Sequence, residues 1–155
     1  MRERDVAEAE IRHLETQLAR MERGELDPEL FKTVRLQYGI YSLRDSAERH
    51  MVRVRVGLGI VSPEQLEALA GICERWLPSR SLHLTTRQDV QLYGVERSHL
   101  PALLRALAAA GLTTREASGN VVRNITCCPW AGVSPTEPFD ITPAAEAVGA
   151  YLLRN

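Results

Sequence analysis

The chain has 155 residues, 45% of them apolar, with 20 acidic against 19 basic side chains. That length suffices for one ordinary core with extensions, and the near balance of charge leaves no global field favouring nucleic acid or a membrane surface. No apolar run approaches the roughly 18 residues of a membrane span, and RERDVAEAE is too charged for a secretory signal, so a cytoplasmic location is expected.

Residues 3–23 carry the clearest helical pattern: Ala7, Ile11, Leu14, Leu18 and Met21 recur in steps of four and three, and Gly24 stops the run. The stripe suits either a helix packed on its own domain or a short coiled-coil seam. After Asp27 and Pro28, FKTVRLQYGIYSLRD has irregular spacing and reads as an extended arm, with Tyr38 and Tyr41 as packing residues. MVRVRVGLGI (51–60) alternates strictly. It predicts a strand with Met51, Arg53 and Arg55 on one side and Val52, Val54 and Val56 on the other.

Ser62, Pro63 and Gln65 form a capping box for a helix to about Trp76. Residues 81–86 and 89–95 are two further strands joined near Arg87–Asp89. Ser98 is expected to cap a helix through Ala110, ended by Gly111, and a last strand fits Thr113–Ala117. The order strand, helix, strand, strand, helix, strand predicts an α+β fold. It is the ferredoxin-like split βαβ sandwich, an antiparallel sheet with helices on one face and the other face open. Arg53 and Arg87 both fall on or beside that open face, whereas Arg55 reads as surface-exposed. Beyond residue 117, glycines and prolines interrupt any regular element until a final helix near Thr142, its expected N-cap. The domain expectation is an N-terminal helix and arm over 1–48, the ferredoxin-like half-domain over 49–117, and the incomplete start of a further domain over 118–155.

Lys32 is the only lysine, so every other cationic side chain is arginine. A G- and C-rich genome accounts for much of this, yet arginine's planar fork also suits carboxylates and oxyanions. Cys73, Cys127 and Cys128 are too few and too poorly spaced for a disulfide framework. Adjacent cysteines such as Cys127 and Cys128 rarely ligate one metal with good geometry, and no metal site is expected.

Four stretches in order, RLQYGIYSLR (35–44), MVRVRV (51–56), LTTRQDVQLYG (84–94) and NVVRNITCCPWAG (120–132), resemble the N-terminal part of the sirohaem-dependent sulfite and nitrite reductases. The resemblance implies an oxidoreductase that reduces sulfite to sulfide or nitrite to ammonia, using sirohaem and a 4Fe-4S cluster in the complete enzyme. It further implies Arg87 as a fork onto sirohaem carboxylates, with Thr85, Gln91 and Asn124 as cofactor-binding neighbours. Arg53 and Arg123 become the catalytic arginines that offset the anion's charge. The partners so implied are the remaining C-terminal part of the reductase and an electron donor such as ferredoxin. The paired lysines and cluster cysteines of the family are not in this chain, so these 155 residues alone are expected to be inactive and to bind no cofactor. The family's arm also carries YxQR, where this chain has Tyr41, Ser42, Leu43 and Arg44.

Two other classes are open to the same topology. One is a stand-alone ferredoxin-like module that binds an anion or tetrapyrrole without redox chemistry. The other is an RNA-binding domain, which the aromatic content of 5% disfavours, because base stacking needs aromatic platforms.

Overall fold

The computed structural model describes residues 3–153. Strands β1 (Ile40–Leu43), β2 (Ser46–Val54), β3 (Leu82–Leu84) and β4 (Val90–Glu96) form an antiparallel sheet in the order β1-β2-β4-β3. Helix α3 (Pro63–Trp76) crosses from β2 to β3, and α4 (Leu100–Ala109) follows β4. The path β2-α3-β3-β4-α4, with β4 inserted between β2 and β3, is the ferredoxin-like arrangement the alternating pattern predicts.

The core lies between one face of the sheet and the helices. Val52, Val54, Val90 and Leu92 meet Leu69 and Ile72 of α3 and Leu100, Leu103 and Leu107 of α4. Helix α1 (Glu3–Glu22) adds Ile11, Leu14 and Leu18 to the same cluster, so its stripe packs within its own domain. Arg105 of α4 forks onto Glu15 at 2.7 Å through both terminal nitrogens and onto Glu8 at 3.1 Å. Helix α3 opens as its sequence dictates: Ser62 Oγ accepts from Gln65 N–H, and Gln65 Oε1 accepts from Ser62 N–H.

The expected extended arm is instead regular. Residues Pro28–Gln37 form helix α2, with Asp27 Oδ1 accepting from Glu29 N–H at 2.8 Å and Pro28 in the first turn. The strand β1 follows at once, through Gly39. This glycine has φ of +70°, and a Cβ there would stand 2.7 Å from the carbonyl oxygens of Arg53 and Thr114; only glycine satisfies both conditions. The expected last strand at Thr113–Ala117 is reduced to one antiparallel bridge, Arg55 to Thr113. The hairpin from β1 occupies the sheet edge in its place.

Several boundaries differ as well. β2 begins at Ser46 and ends at Val54, before a short 3-10 turn at Gly57–Gly59. Ser98 lies inside a 3-10 turn at Arg97–His99 and does not cap α4. The last helix, α5 (Thr142–Leu152), has Ile141 rather than Thr142 at the N-cap, and Asp140 Oδ1 accepts from Thr142 N–H at 2.9 Å. Between α4 and α5 the described chain has no helix or strand, in keeping with its glycines and prolines. Among the described residues no helix is long and apolar enough to cross a membrane.

Candidate anion and cofactor site

Strand alternation decides what the open sheet face displays. Arg53 on β2 pairs with Gln91 on β4, and Met51 pairs with Tyr41 on one side and Tyr93 on the other. Arg53 is half-buried and held on several sides. Its guanidinium lies 5.2 Å from the Tyr41 ring centroid, and Nη1 donates to Ala117 O at 3.1 Å and to Tyr41 Oη at 3.4 Å. With the Gln91 amide turned to satisfy both neighbours, its oxygen accepts from Arg53 Nη2 at 2.7 Å and Nε at 3.2 Å, and its nitrogen donates to the Tyr93 hydroxyl at 3.1 Å. His83 of β3 meets the Tyr93 ring edge-on at 4.9 Å. A cation with fixed hydrogen bonds does not have to reorganise to meet an anion.

TTRQ lies in the turn between β3 and β4, whereas Gln91 alone of the expected donors in LTTRQDVQLYG lies in a strand. The turn closes on Thr85: its N–H donates to Asp89 O at 2.9 Å, its carbonyl accepts from Gln88 N–H at 3.0 Å, and its Oγ accepts from the Asp89 and Arg87 amides at 3.1 and 3.3 Å. Thr85 therefore spends its lone pairs on the loop and keeps only its hydroxyl proton for another partner. Arg87 projects from the turn, exposed.

Asn124 ties the following segment to this turn. Its Nδ2 lies within donating distance of Val56 O at 2.7 Å, Arg87 O at 2.9 Å and Asp89 Oδ1 at 3.0 Å. Gln88 Nε2 adds a bond to Cys127 O at 3.1 Å, and Leu58 N–H one to Ile125 O at 3.1 Å. Arg123, half-buried, is thereby carried beside the turn that bears Arg87. Neither guanidinium has a hydrogen-bond or ion-pair partner among the described residues.

Two residues at the site escape sequence reasoning. Asp89 is 1% exposed and lies between a turn and a strand, where an acidic residue ordinarily reads as turn chemistry. Burial raises its carboxyl above the usual range, opposed by the Val56 N–H bond and by the charges of Arg53, Arg55 and Arg87. Tyr41, expected as a packing residue, faces Arg53. Tyr38 is buried as expected.

Arg55, expected at the surface, is buried: Nη1 lies 4.0 Å from Glu116 Oε2 and Nη2 donates to Gly149 O of α5 at 3.3 Å. Its strand parity matches Arg53, but Glu116 and α5 cover it. Cys73 is buried in α3, Cys127 is half-buried and Cys128 is exposed, all as free thiols. No group of three or more His, Cys, Asp or Glu side chains suited to a metal occurs among the described residues.

The structure thus gathers Thr85, Arg87, Arg123 and Asn124 around one turn and sets Arg53 with Gln91 on the adjoining sheet, with Asp89 between them. Such a surface can receive oxyanions and carboxylates.

Residues 41–110 match the family described as the nitrite/sulfite reductase ferredoxin-like half domain. The ferredoxin–nitrite reductase of Synechococcus elongatus is 37% identical over 71% of this chain and 22% of its own length. The sulfite reductase [NADPH] subunit beta of Schizosaccharomyces pombe is 39% identical over 50% of this chain and 5% of its own. A solved structure of the Mycobacterium tuberculosis NirA protein superposes with a TM-score of 0.74 at 24% identity, covering 89% of this chain and 30% of that one. The chain spans about a fifth of the length of the ferredoxin–nitrite reductases it matches.

Proposed function

Residues 41–110 are a nitrite/sulfite reductase ferredoxin-like half domain, and from that premise we propose that this chain is the N-terminal part of a reductase taking nitrite to ammonia or sulfite to sulfide. The observation that carries the reading is the pair Arg87 and Arg123, without acidic partners among the described residues, tied to one turn beside a preorganised Arg53. A half-buried arginine is ordinarily paired, so Arg123 without an acidic partner, set near the exposed fork of Arg87, supports an anionic ligand.

The donor set fits a polycarboxylate macrocycle. Arg87 would hold sirohaem carboxylates, with Thr85 and Gln91 as neutral donors and Asn124, its Nδ2 spent on Val56, Arg87 and Asp89, keeping the turn in place beside them. Arg53 and Arg123 would face the substrate anion. Sirohaem would supply the metal that binds the anion and, with a 4Fe-4S cluster, would pass on electrons from the external donor. The chain's own contribution is charge and hydrogen bonding. Arg53, fixed by Tyr41, Gln91 and the Ala117 carbonyl, offsets the anion's charge without reorganising, and Arg123 adds a second fork as oxygen departs as water.

Residues 118–155 begin the domain that completes the pocket with the rest of the reductase. Support comes from their exposed apolar side chains, Trp130, Val133, Phe139 and Tyr151, each about 70% exposed, which is the composition of a covered interface. An electron donor such as ferredoxin and a cytoplasmic location complete the proposal, the latter supported by three free thiols.

In the complete reductase, Arg87→Ala should lower sirohaem occupancy, since a buried carboxylate left without its partner costs about 3–5 kcal/mol. Arg53→Ala or Arg123→Ala should retain the cofactor spectrum, weaken binding of the substrate anion and lose on the order of a hundredfold in turnover. One absorbance spectrum and one activity assay per variant separate the classes. Loss of cofactor from Arg123→Ala, with Arg87→Ala unchanged in both readouts, overturns the roles.

A further inference from the structure

Asp89 has no role in the proposed function so far, yet it is the most deeply buried charged side chain at the site. Its Oδ1 accepts from Val56 N–H at 3.2 Å and from Asn124 Nδ2 at 3.0 Å. The end of β2, the turn before β4 and the irregular segment after residue 117 therefore meet on one carboxylate oxygen. The three have unequal support. Arg53 sits in a central strand with ladder bonds on both sides, whereas Arg123 lies in chain that belongs to no helix or strand.

We propose that Asp89 is a positioning residue of the anion site, holding the Arg123–Asn124 segment in place against Arg53 through its bonds to Asn124 and to the Val56 amide. The inference rests on the anion-binding reading of Arg53 and Arg123. A neutral acceptor would serve the geometry, but the carboxylate does more. Its charge acts on Arg53, Arg55 and Arg87, while its second oxygen makes no hydrogen bond among the described residues. It acts on the exposed Arg87 by field without occupying its N–H groups, which stay available for a ligand.

The test uses Asp89→Leu and Asp89→Asn in the complete reductase, alone and combined with Arg123→Ala, with steady-state kinetics on nitrite. Amide exchange at Leu58, whose N–H bonds Ile125 O across the same seam, is followed in the 155-residue chain. Asp89→Leu should raise KM for nitrite at least tenfold with a smaller change in kcat. Asp89→Asn keeps Oδ1 and should recover most of that loss. In the Arg123→Ala background, Asp89→Leu should add less than twofold, because nothing is left to position, and Leu58 exchange should quicken at least tenfold. Should Asp89→Leu fail to fold, Asn124→Ala removes the other half of the latch and is read the same way. The proposal is overturned if the two losses multiply in full, or if KM and Leu58 exchange both stay at parental values. An Arg123→Ala variant with parental KM and kcat would refute the anion reading, and the exchange result would still judge the latch.

Discussion

On β2, Val52 and Val54 are fully buried beneath the helices, while Arg53 between them stands half-buried on the opposite face, gripped by Tyr41 and Gln91. On β4 the same division separates Val90 and Leu92 from Gln91 and Tyr93. The two faces use one backbone, one residue out of step, so the ladder that holds the core also sets the spacing of the polar groups. The difference teaches that stability and ligand chemistry here are separable by side chain but coupled through strand register.

The largest expected effect tests the core face. Leu92→Ala removes a fully buried side chain and should cost about 3 kcal/mol in urea unfolding. If the faces are separable, binding by the surviving folded protein stays at parental strength. His50 comes next. It shares the core-side parity of Val52 and is held at a pKa of about 4 by burial and then by the charges of Arg35 and Arg97. Its folded value lies below its ordinary 6.5, so its stability contribution is complete above about pH 6.5. That contribution is lost as pH falls toward 4, by at most about 3 kcal/mol. The raised Asp89 carboxyl pulls the other way in the lower part of this window. The difference between parent and His50→Gln therefore isolates the imidazole, and parallel pH–stability curves would exclude its role.

Gly39→Ala attacks the coupling itself, because its Cβ would strike the Arg53 and Thr114 carbonyls in a left-handed backbone. A loss of about 2 kcal/mol is expected, accompanied by weaker anion binding as Arg53 shifts; stability loss with unaltered binding would break the proposed link between register and site. The smallest effect on stability belongs to Gln91→Ala, within about 0.5 kcal/mol, although on the proposed function the complete reductase should show a several-fold rise in nitrite KM once Arg53 loses its cross-strand partner.

The elements with strong local signals were legible in the sequence. The capping box at Ser62, the alternation of MVRVRV and the glycine at 111 each state a physical preference that the tertiary structure keeps. Helix α2 is hard to read because Asp27 and Pro28 suit a chain break as well as a helix start, although Phe31 and Val34 continue the apolar spacing. The strand expected at Thr113–Ala117 was displaced because a hairpin with a two-residue turn brings β1 to the same edge at far lower loop-closure cost. Among the proposed site residues, strand parity indicates the place of Arg53 on the open face, and the TTRQ motif is what singles out Arg87. The burial of Arg55 and Asp89 depends on residues 60 or more positions away for the former and 33 for the latter. Such covering cannot be read from neighbours in the chain.

The contact between Arg55 and the carbonyl of Gly149 spans 94 residues. In a chain emerging from the ribosome, β1, β2 and α3 can pair long before residue 149 appears. Until then Arg55 presents a hydrated guanidinium at the rim of a nascent sandwich. The arrival of α5 takes it out of water, making the closing of that helix a late event in biogenesis.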